Sequence, residues 1–316
     1  MKLLFFDIEC AGVHKTYAKI CVFGYVLCDE KFNILEKEDI LINPRGKFEL
    51  TDRKGEKGIV LPYEYEEFKK QPAFPKIYSR IKELLQDEDT RVLGHAVLND
   101  VKYLNLECRR FRLPALKYSF ADSQLLFMSF KNDFSHQCGL EHIAEELGVD
   151  FTPHRAVDDA YATMRIVEAM CKAHNCGYDE LLKLLNFSNG KTENYNVMRP
   201  QSGGFKKYKS DKRAVKEARS RARVIFYNNL TRKRYKKGGK LGGKLFNFSR
   251  AIEDNIEISV SLVDKIYEQG GKYTQHVDEC AVYVRPENDI TDRSKRAEKA
   301  GKNIISLEEL TELLNG

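Results

Sequence analysis

Two carboxylates stand at positions i and i+2 near the start of the chain. They are Asp7 and Glu9, in Leu3-Leu4-Phe5-Phe6-Asp7-Ile8-Glu9. Four large apolar residues in a row predict a strand buried on both faces. Alternate strand residues point to one face, so Asp7 and Glu9 would project together. Two like charges side by side are costly to bury unless a cation neutralises them. Oxygen ligands of this kind suit hard divalent ions, magnesium or manganese. The alternative is a strand that ends and turns two acids into solvent. Three further acids fall where strands end or helices begin, the places where α/β sheets gather their sites. Asp100 follows Gly94-His95 at the start of a predicted helix, and Asp122 ends a predicted strand. Asp159 lies in His154-Arg155-Ala156-Val157-Asp158-Asp159-Ala160, where a loop enters a helix. Asp is also a favoured helix cap, stabilising by roughly 0.5–2 kcal/mol. Taken singly, Asp100 and Asp122 read better as caps, and His154 reads as a surface or packing histidine.

The elements that must position these groups can be followed along the chain. The first strand is followed by predicted strands over 19–27 and 34–42, joined by short links that imply an antiparallel meander. Residues 44–72 are polar and read mostly as loop. Helices are expected over 75–85, 97–108, 139–147, 157–173 and 178–185, with short strands at 91–95 and 118–122. Three strands, then strands alternating with helices, describe an α/β fold with a mixed sheet.

At 316 residues, 42% of them apolar, the chain is long enough for two domains. No apolar run is long enough to cross a bilayer, and the first strand begins without a signal-peptide pattern. Eight cysteines are scattered, several inside apolar runs, which predicts reduced thiols in a cytoplasmic protein. Cys171, His174 and Cys176 have irregular spacing and no second ligand pair, which argues against a zinc site. The net charge of +6 is unevenly spread. Residues 206–240 hold 15 Lys and Arg against Asp211 and Glu217, leaving the remainder of the chain at about −7. An acidic body with one basic stretch suggests a partner carrying phosphates.

The ordered set Asp7-x-Glu9, Gly94-His95 with Asp100, and His154-x-Ala156-x-x-Asp159-Ala160 resembles the DEDDh 3′→5′ exonucleases. This group includes the proofreading epsilon subunit of DNA polymerase III, RNase T and oligoribonuclease. Residues 139–148 are also similar to the family's segment before its last motif. The resemblance covers about residues 1–186 and implies a ribonuclease-H-like fold, a five-stranded mixed sheet flanked by helices. It also implies two divalent ions, Mg2+ or Mn2+, about 3.5–4 Å apart, that activate a water and stabilise the leaving oxyanion. By resemblance, Asp7 bridges the ions, Glu9 and Asp159 complete one site, and Asp100 helps to hold the other. His154 would take the proton from the attacking water. Asp158 is read as a helix-start residue, and Asp122 as a group that orients backbone or caps its helix. The chain departs from the family at Cys10-Ala11-Gly12, where two Thr and a Gly are usual, and at Ala96 and Asn99. Those changes bear on substrate preference and rate rather than on the metal ligands.

Residues 187–240 read as a polar, then basic linker, partly helical over 211–228, where Ala214, Val215, Ala218, Ala222 and Ile225 recur at helical spacing. Lys206, Lys207, Arg219, Arg223, Arg232, Lys233 and Arg234 are its candidate nucleic-acid contacts, interleaved with aromatics that include Tyr208 and Tyr235. A solvated linker helix is the alternative. Residues 241–316 resemble a BRCT domain: a strand at 244–249, a helix from 258 to 268 before Gly270-Gly271, a core strand at 280–284, and a closing helix, strand and helix. The family's frequent Trp is missing. Ser249 and Lys295 match its phosphate-binding residues, with Arg250 in place of the usual Gly. A protein-docking role, toward a polymerase or repair factor, is the better reading of this domain.

Three functions fit. The first is a 3′→5′ exonuclease acting on single-stranded 3′ ends of DNA, in proofreading or repair. The second is an exoribonuclease of the RNase T or oligoribonuclease type. The third is a non-catalytic nucleic-acid-binding or scaffold protein, for which a missing ligand would have spoken; all five positions are filled.

Overall fold

The apolar run at the N-terminus becomes β1 (Lys2–Val13), an interior strand of the sheet. It is seen in a computed structural model that describes residues 1–48, 61–149, 155–231, 234 and 236–315. Of the sequence candidates, His154, Arg232, Lys233 and Tyr235 lie outside the described residues. The chain divides into two units, 1–208 and 209–316.

In the first unit, β1 pairs antiparallel with β2 (Ala18–Asp29), and β2 with β3 (Ile34–Leu41). After α1 (Tyr65–Lys70) and α2 (Phe74–Gln86), β4 (Thr90–Gly94) lies parallel to β1. Next come α3 (Leu98–Arg110), β5 (Tyr118–Asp122) parallel to β4, α4 (Ser123–Lys131), α5 (Leu140–Glu146), α6 (Ala156–His174) and α7 (Tyr178–Leu184). The mixed sheet flanked by helices is the expected α/β arrangement, and β1 alternates cleanly between two cores. Leu4, Phe6 and Ile8 pack with residues of α2 and α3, while Leu3 and Phe5 pack with residues of α6. Phe5 and Phe6 are at most 1% exposed, each worth about 1.5–3 kcal/mol of burial. Asp7 and Glu9 continue the odd-numbered side, so they project toward α6.

Residues 187–202 hold four short strands where a linker was expected. β6 (Phe187–Ser188) pairs with β9 (Gln201–Ser202), while β7 (Gly190–Glu193) and β8 (Asn196–Met198) form a hairpin. β7 adds antiparallel to β5, so the sheet has seven strands in the order β3-β2-β1-β4-β5-β7-β8, not five. The hairpin turns through Asn194 and Tyr195, both at positive φ, as a tight two-residue loop requires. It is anchored by the Tyr195 hydroxyl, which donates to the Leu113 carbonyl (2.5 Å), and by the buried Asn105–Thr192 hydrogen bond (3.0 Å). A polar strand is stable here because Asn105 of α3 satisfies its buried Thr192.

A single helix, α8 (Gly203–Thr231), follows, longer than the expected 211–228. Val215 and Ile225 of the expected apolar stripe are half exposed. The residue that goes inside is Phe226, fully buried in the core of the second unit, with Tyr227 and Leu230 beside it. That unit therefore takes in α8 residues that the expected boundary at 241 leaves out. Its sheet comprises β10 (Leu245–Phe248), β11 (Lys272–Tyr273), β12 (Val282–Val284) and β13 (Asn303–Ile305), all parallel, in the order β11-β10-β12-β13. Its helices are α9 (Arg250–Glu253), α10 (Ile256–Glu268), α11 (Asp292–Lys299) and α12 (Leu307–Asn315).

Candidate active site

Asp7, Glu9 and Asp159 come together. Each offers a carboxylate oxygen, and these atoms lie within 4.8 Å of one another, all three side chains being half-buried. β1 supplies the first two from one face, before a bulge that begins after Glu9. The start of α6 supplies the third. This approach depends on Gly24, the partner of Asp7 on β2. A Cβ at Gly24 would stand 2.3 Å from Ala156 C and Val157 N, so only glycine lets the helix start press onto the sheet.

Asp100 lies in the first turn of α3 and is 8% exposed. It arrives by way of Gly94, where a Cβ would press within 2.5 Å of Val97 Cγ2. The electrostatics bind the four acids into one site. Burial first, and then the charges of Asp100, Glu9 and Asp159, push the Asp7 carboxyl well above the usual range. Burial, then Asp159 and Asp39, push Glu9 up to about 7. Burial likewise raises Asp100, with Glu9 and Asp122 adding to it. Crowded, half-buried carboxylates whose strongest charged neighbours are other carboxylates suit a hard divalent cation. Asp7, Glu9 and Asp159 would hold it.

Asp122 has the orienting role expected of it. It caps α4, accepting from the Gln124 amide (3.0 Å), and it also accepts from the Ala96 amide (3.1 Å), which fixes the loop before α3. His95 in that loop is no cation at neutral pH. Its Nδ1 meets Ser123 Oγ at 2.9 Å, and burial pushes the imidazole down to about 4. Asp158 is not one of the three grouped carboxylates and pairs with Lys37, whose Nζ it meets at 3.1 Å.

Sequence reading missed Gly24 and Asp39. Asp39 lies on β3 as the register partner of Gly24, and its side chain is 4% exposed. It sits in the charged run Glu36-Lys37-Glu38-Asp39, which looks like any solvated edge strand. Only the register across three strands, Asp7 to Gly24 to Asp39, singles it out.

Among the basic candidates, Lys206, Lys207 and Arg234 are exposed. Arg219 and Arg223 direct their charge at Asp254, at 3.8 and 3.3 Å. In the second unit the Ser249 hydroxyl is wholly buried with no hydrogen-bond partner, and Lys295 is exposed on α11. It is Arg293, not Lys295, that reaches the end of β10, bonding to Asn247 Oδ1 (3.0 Å) and Glu253 (3.1 Å).

No helix among the described residues is long and apolar enough to cross a membrane. No curated protein matches the chain in sequence. Among solved structures, a 3′-exonuclease recognising the 3′ end of a histone mRNA stem-loop is similar at TM-score 0.50 and 17% identity, over 64% of this chain and 71% of its own. A full-length 3′-exonuclease is similar at TM-score 0.48 and 16% identity, over 64% and 90%. Exonuclease I of E. coli, solved with a dT13 oligonucleotide, is similar at TM-score 0.41 and 19% identity, over 55% and 42%. The first of these likenesses shows a fold shared with that 3′-exonuclease. The sequence itself matches the RNase T family, described as exonuclease, over residues 4–167. That span contains β1 from Leu4 onward, the start of α6 and more than half of the chain, and on it the chain belongs to the RNase T exonuclease family and is an exonuclease.

Proposed function

We propose that the chain is a metal-dependent 3′→5′ exonuclease of the DEDDh kind, similar to the DNA polymerase III epsilon subunit, acting on single-stranded 3′ ends of DNA. Its family normally uses divalent metals. The observation that carries the reading is the convergence of Asp7, Glu9 and Asp159 within 4.8 Å, with the buried Asp100 acting on the same carboxyl. Two Mg2+ or Mn2+ ions would ready a water for attack and stabilise the leaving oxyanion. Asp7, Glu9 and Asp159 would hold one ion and Asp100 would help to hold the second. His154, five residues before Asp159, would take the proton of the attacking water.

DNA is favoured by the second unit, whose parallel four-stranded sheet supports a BRCT-like module that docks a polymerase or repair factor. Exposed Lys206, Lys207 and Arg234 contribute phosphate contacts. The eight cysteines, all free, fit a reducing cytoplasm.

The test is a time course with Mg2+ or Mn2+ on matched, 5′-labelled single-stranded DNA and RNA, with Asp7→Ala as control. A ladder shortening from the 3′ end, faster on DNA and lost in the control, is expected. Faster decay of RNA would move the assignment to an exoribonuclease. Binding of both without cleavage would overturn the catalytic reading.

A further inference from the structure

The start of α6 carries Asp159 into a crowd of negative charge, yet its N-cap residue does not cap it. That residue, Arg155, makes no side-chain cap hydrogen bond. The missing acceptor comes from a different strand. Asp39 Oδ1 accepts from the Val157 amide at 2.8 Å. Val157 is the second residue of the helix, the donor an ordinary N-cap side chain would satisfy. Asp39 Oδ2 accepts from Arg155 Nε at 3.0 Å and from the Tyr63 hydroxyl. Two residues back on the same face of β3, Lys37 meets Asp158 at 3.1 Å and lies over the Tyr161 ring at 4.4 Å. Residues 155, 157, 158 and 161 are thus held from β3, and Asp159 stands in their midst.

We propose that Asp39 is a positioning residue of the exonuclease. By capping α6 from β3 it sets where Asp159 stands against Asp7 and Glu9, and so sets the affinity of the three carboxylates for a divalent cation. This rests on the reading of those carboxylates as a metal site. Its charge repels that of Glu9, and its two oxygens are divided between the Val157 amide and Arg155. What it supplies is an acceptor of fixed reach, bound at two oxygens to adjacent points of one helical turn.

The test is Mn2+ titration of the full chain without substrate, read by the electron paramagnetic resonance of free Mn2+. The variants are Asp39→Ala, Asp39→Glu, Asp39→Asn and Asp159→Asn, each with its melting temperature in chelator. Asp39→Glu keeps the charge but lengthens the reach, and Asp39→Asn keeps an acceptor for the Val157 amide but replaces the oxygen that meets Arg155 and Tyr63 by a donor. Asp39→Ala and Asp39→Glu are expected to weaken Mn2+ binding about tenfold or more, and Asp39→Asn only about twofold, as for a group that orients a metal ligand. If Asp39→Ala does not fold, the Glu and Asn pair decides. Wild-type binding in Asp39→Glu, or equal loss in Asp39→Asn, overturns the proposal, whatever happens to the melting temperature. Unchanged binding in Asp159→Asn would instead mean that the metal-site reading has failed.

Discussion

Gly24 faces Asp7 across the β1–β2 pairing, and the space its side chain would fill is occupied by the backbone of Ala156 and Val157. The helix that brings the third carboxylate therefore presses onto β2 at the glycine that pairs with Asp7 of the catalytic strand. The acids converge because of what is missing from the neighbouring strand.

Gly24→Ala should consequently injure the site more than the fold. The added methyl would lie 2.3 Å from two backbone atoms, which cannot swing aside as a side chain can. Overpacking of this kind costs about 1–3 kcal/mol, measurable by urea unfolding. Displacement of the start of α6 by a fraction of an ångström to 1 Å should lower kcat by about 10²-fold. Wild-type turnover in a folded Gly24→Ala protein would show that α6 need not touch the sheet for activity.

Glu9 gives the site a pH dependence with a definite sign. Its carboxyl titrates near 4.5 when unperturbed and is pushed up to about 7 in the folded chain. Between those values the metal-free folded state holds more protons than the unfolded state, so stability falls as pH rises. The loss is complete only above about 7. Asp7 is shifted in the same direction. In chelator, the melting temperature of the wild type should drop from pH 5 to pH 8 more than that of Glu9→Gln. Mn2+ should raise it more at pH 8 than at pH 5, because the ion must displace the proton. An equal Mn2+ effect at both values would place the raised carboxyl outside the metal site.

How far the sequence led is best judged at these residues. The pairing of Asp7 with Glu9 was legible because strand alternation fixes which side chains share a face, and the apolar run fixes the strand. The first five strands, and α2 and α3 between them, were legible for the same reason of periodicity, whereas α1 falls in the stretch 44–72 that reads mostly as loop. Gly24 and Asp39 were not, because their meaning lies in a register across three strands rather than in local spacing. The hairpin of β7 and β8 was hidden by polar composition, since its Thr192 is satisfied by Asn105 from a distant helix. The burial of Phe226 was hidden because the apolar periodicity of its helix pointed to a different stripe, whose Val215 and Ile225 stay half exposed.

Ala96 is a place where the chain carries strain it can be relieved of. It sits at φ 48°, exposed, in the loop between β4 and α3. That left-handed conformation costs a residue with a Cβ about 1–2 kcal/mol, and Asn tolerates it better. Ala96→Asn should stabilise the protein by about 0.5–1 kcal/mol, read as a higher denaturant midpoint with an unchanged slope. The amide of residue 96 keeps its bond to Asp122 (3.1 Å) in either case. A lower midpoint would mean that the loop makes the exposed Ala96 side chain part of its packing.

The second unit makes a sharper test of where its boundary lies. Phe226 is fully buried among Phe246, Phe248, Val263 and Leu310, and its ring meets that of Tyr273 edge-on at 5.3 Å. A fragment beginning at residue 241 would expose that pocket, whereas one beginning at 209 keeps it filled. Replacing a buried Phe by Ala costs about 3–5 kcal/mol. A unit of this size has about 5–15 kcal/mol in all. The fragment 209–316 should therefore unfold cooperatively, and the fragment 241–316 should show little or no transition. Phe226→Ala in the longer fragment should fall between the two, its midpoint shifted down and its slope retained. The basic character of 206–240 gives no hint of this, because a charged helix needs only one apolar residue in the right register to become part of a core. Equal melting of the two fragments would return the helix to the role of a linker.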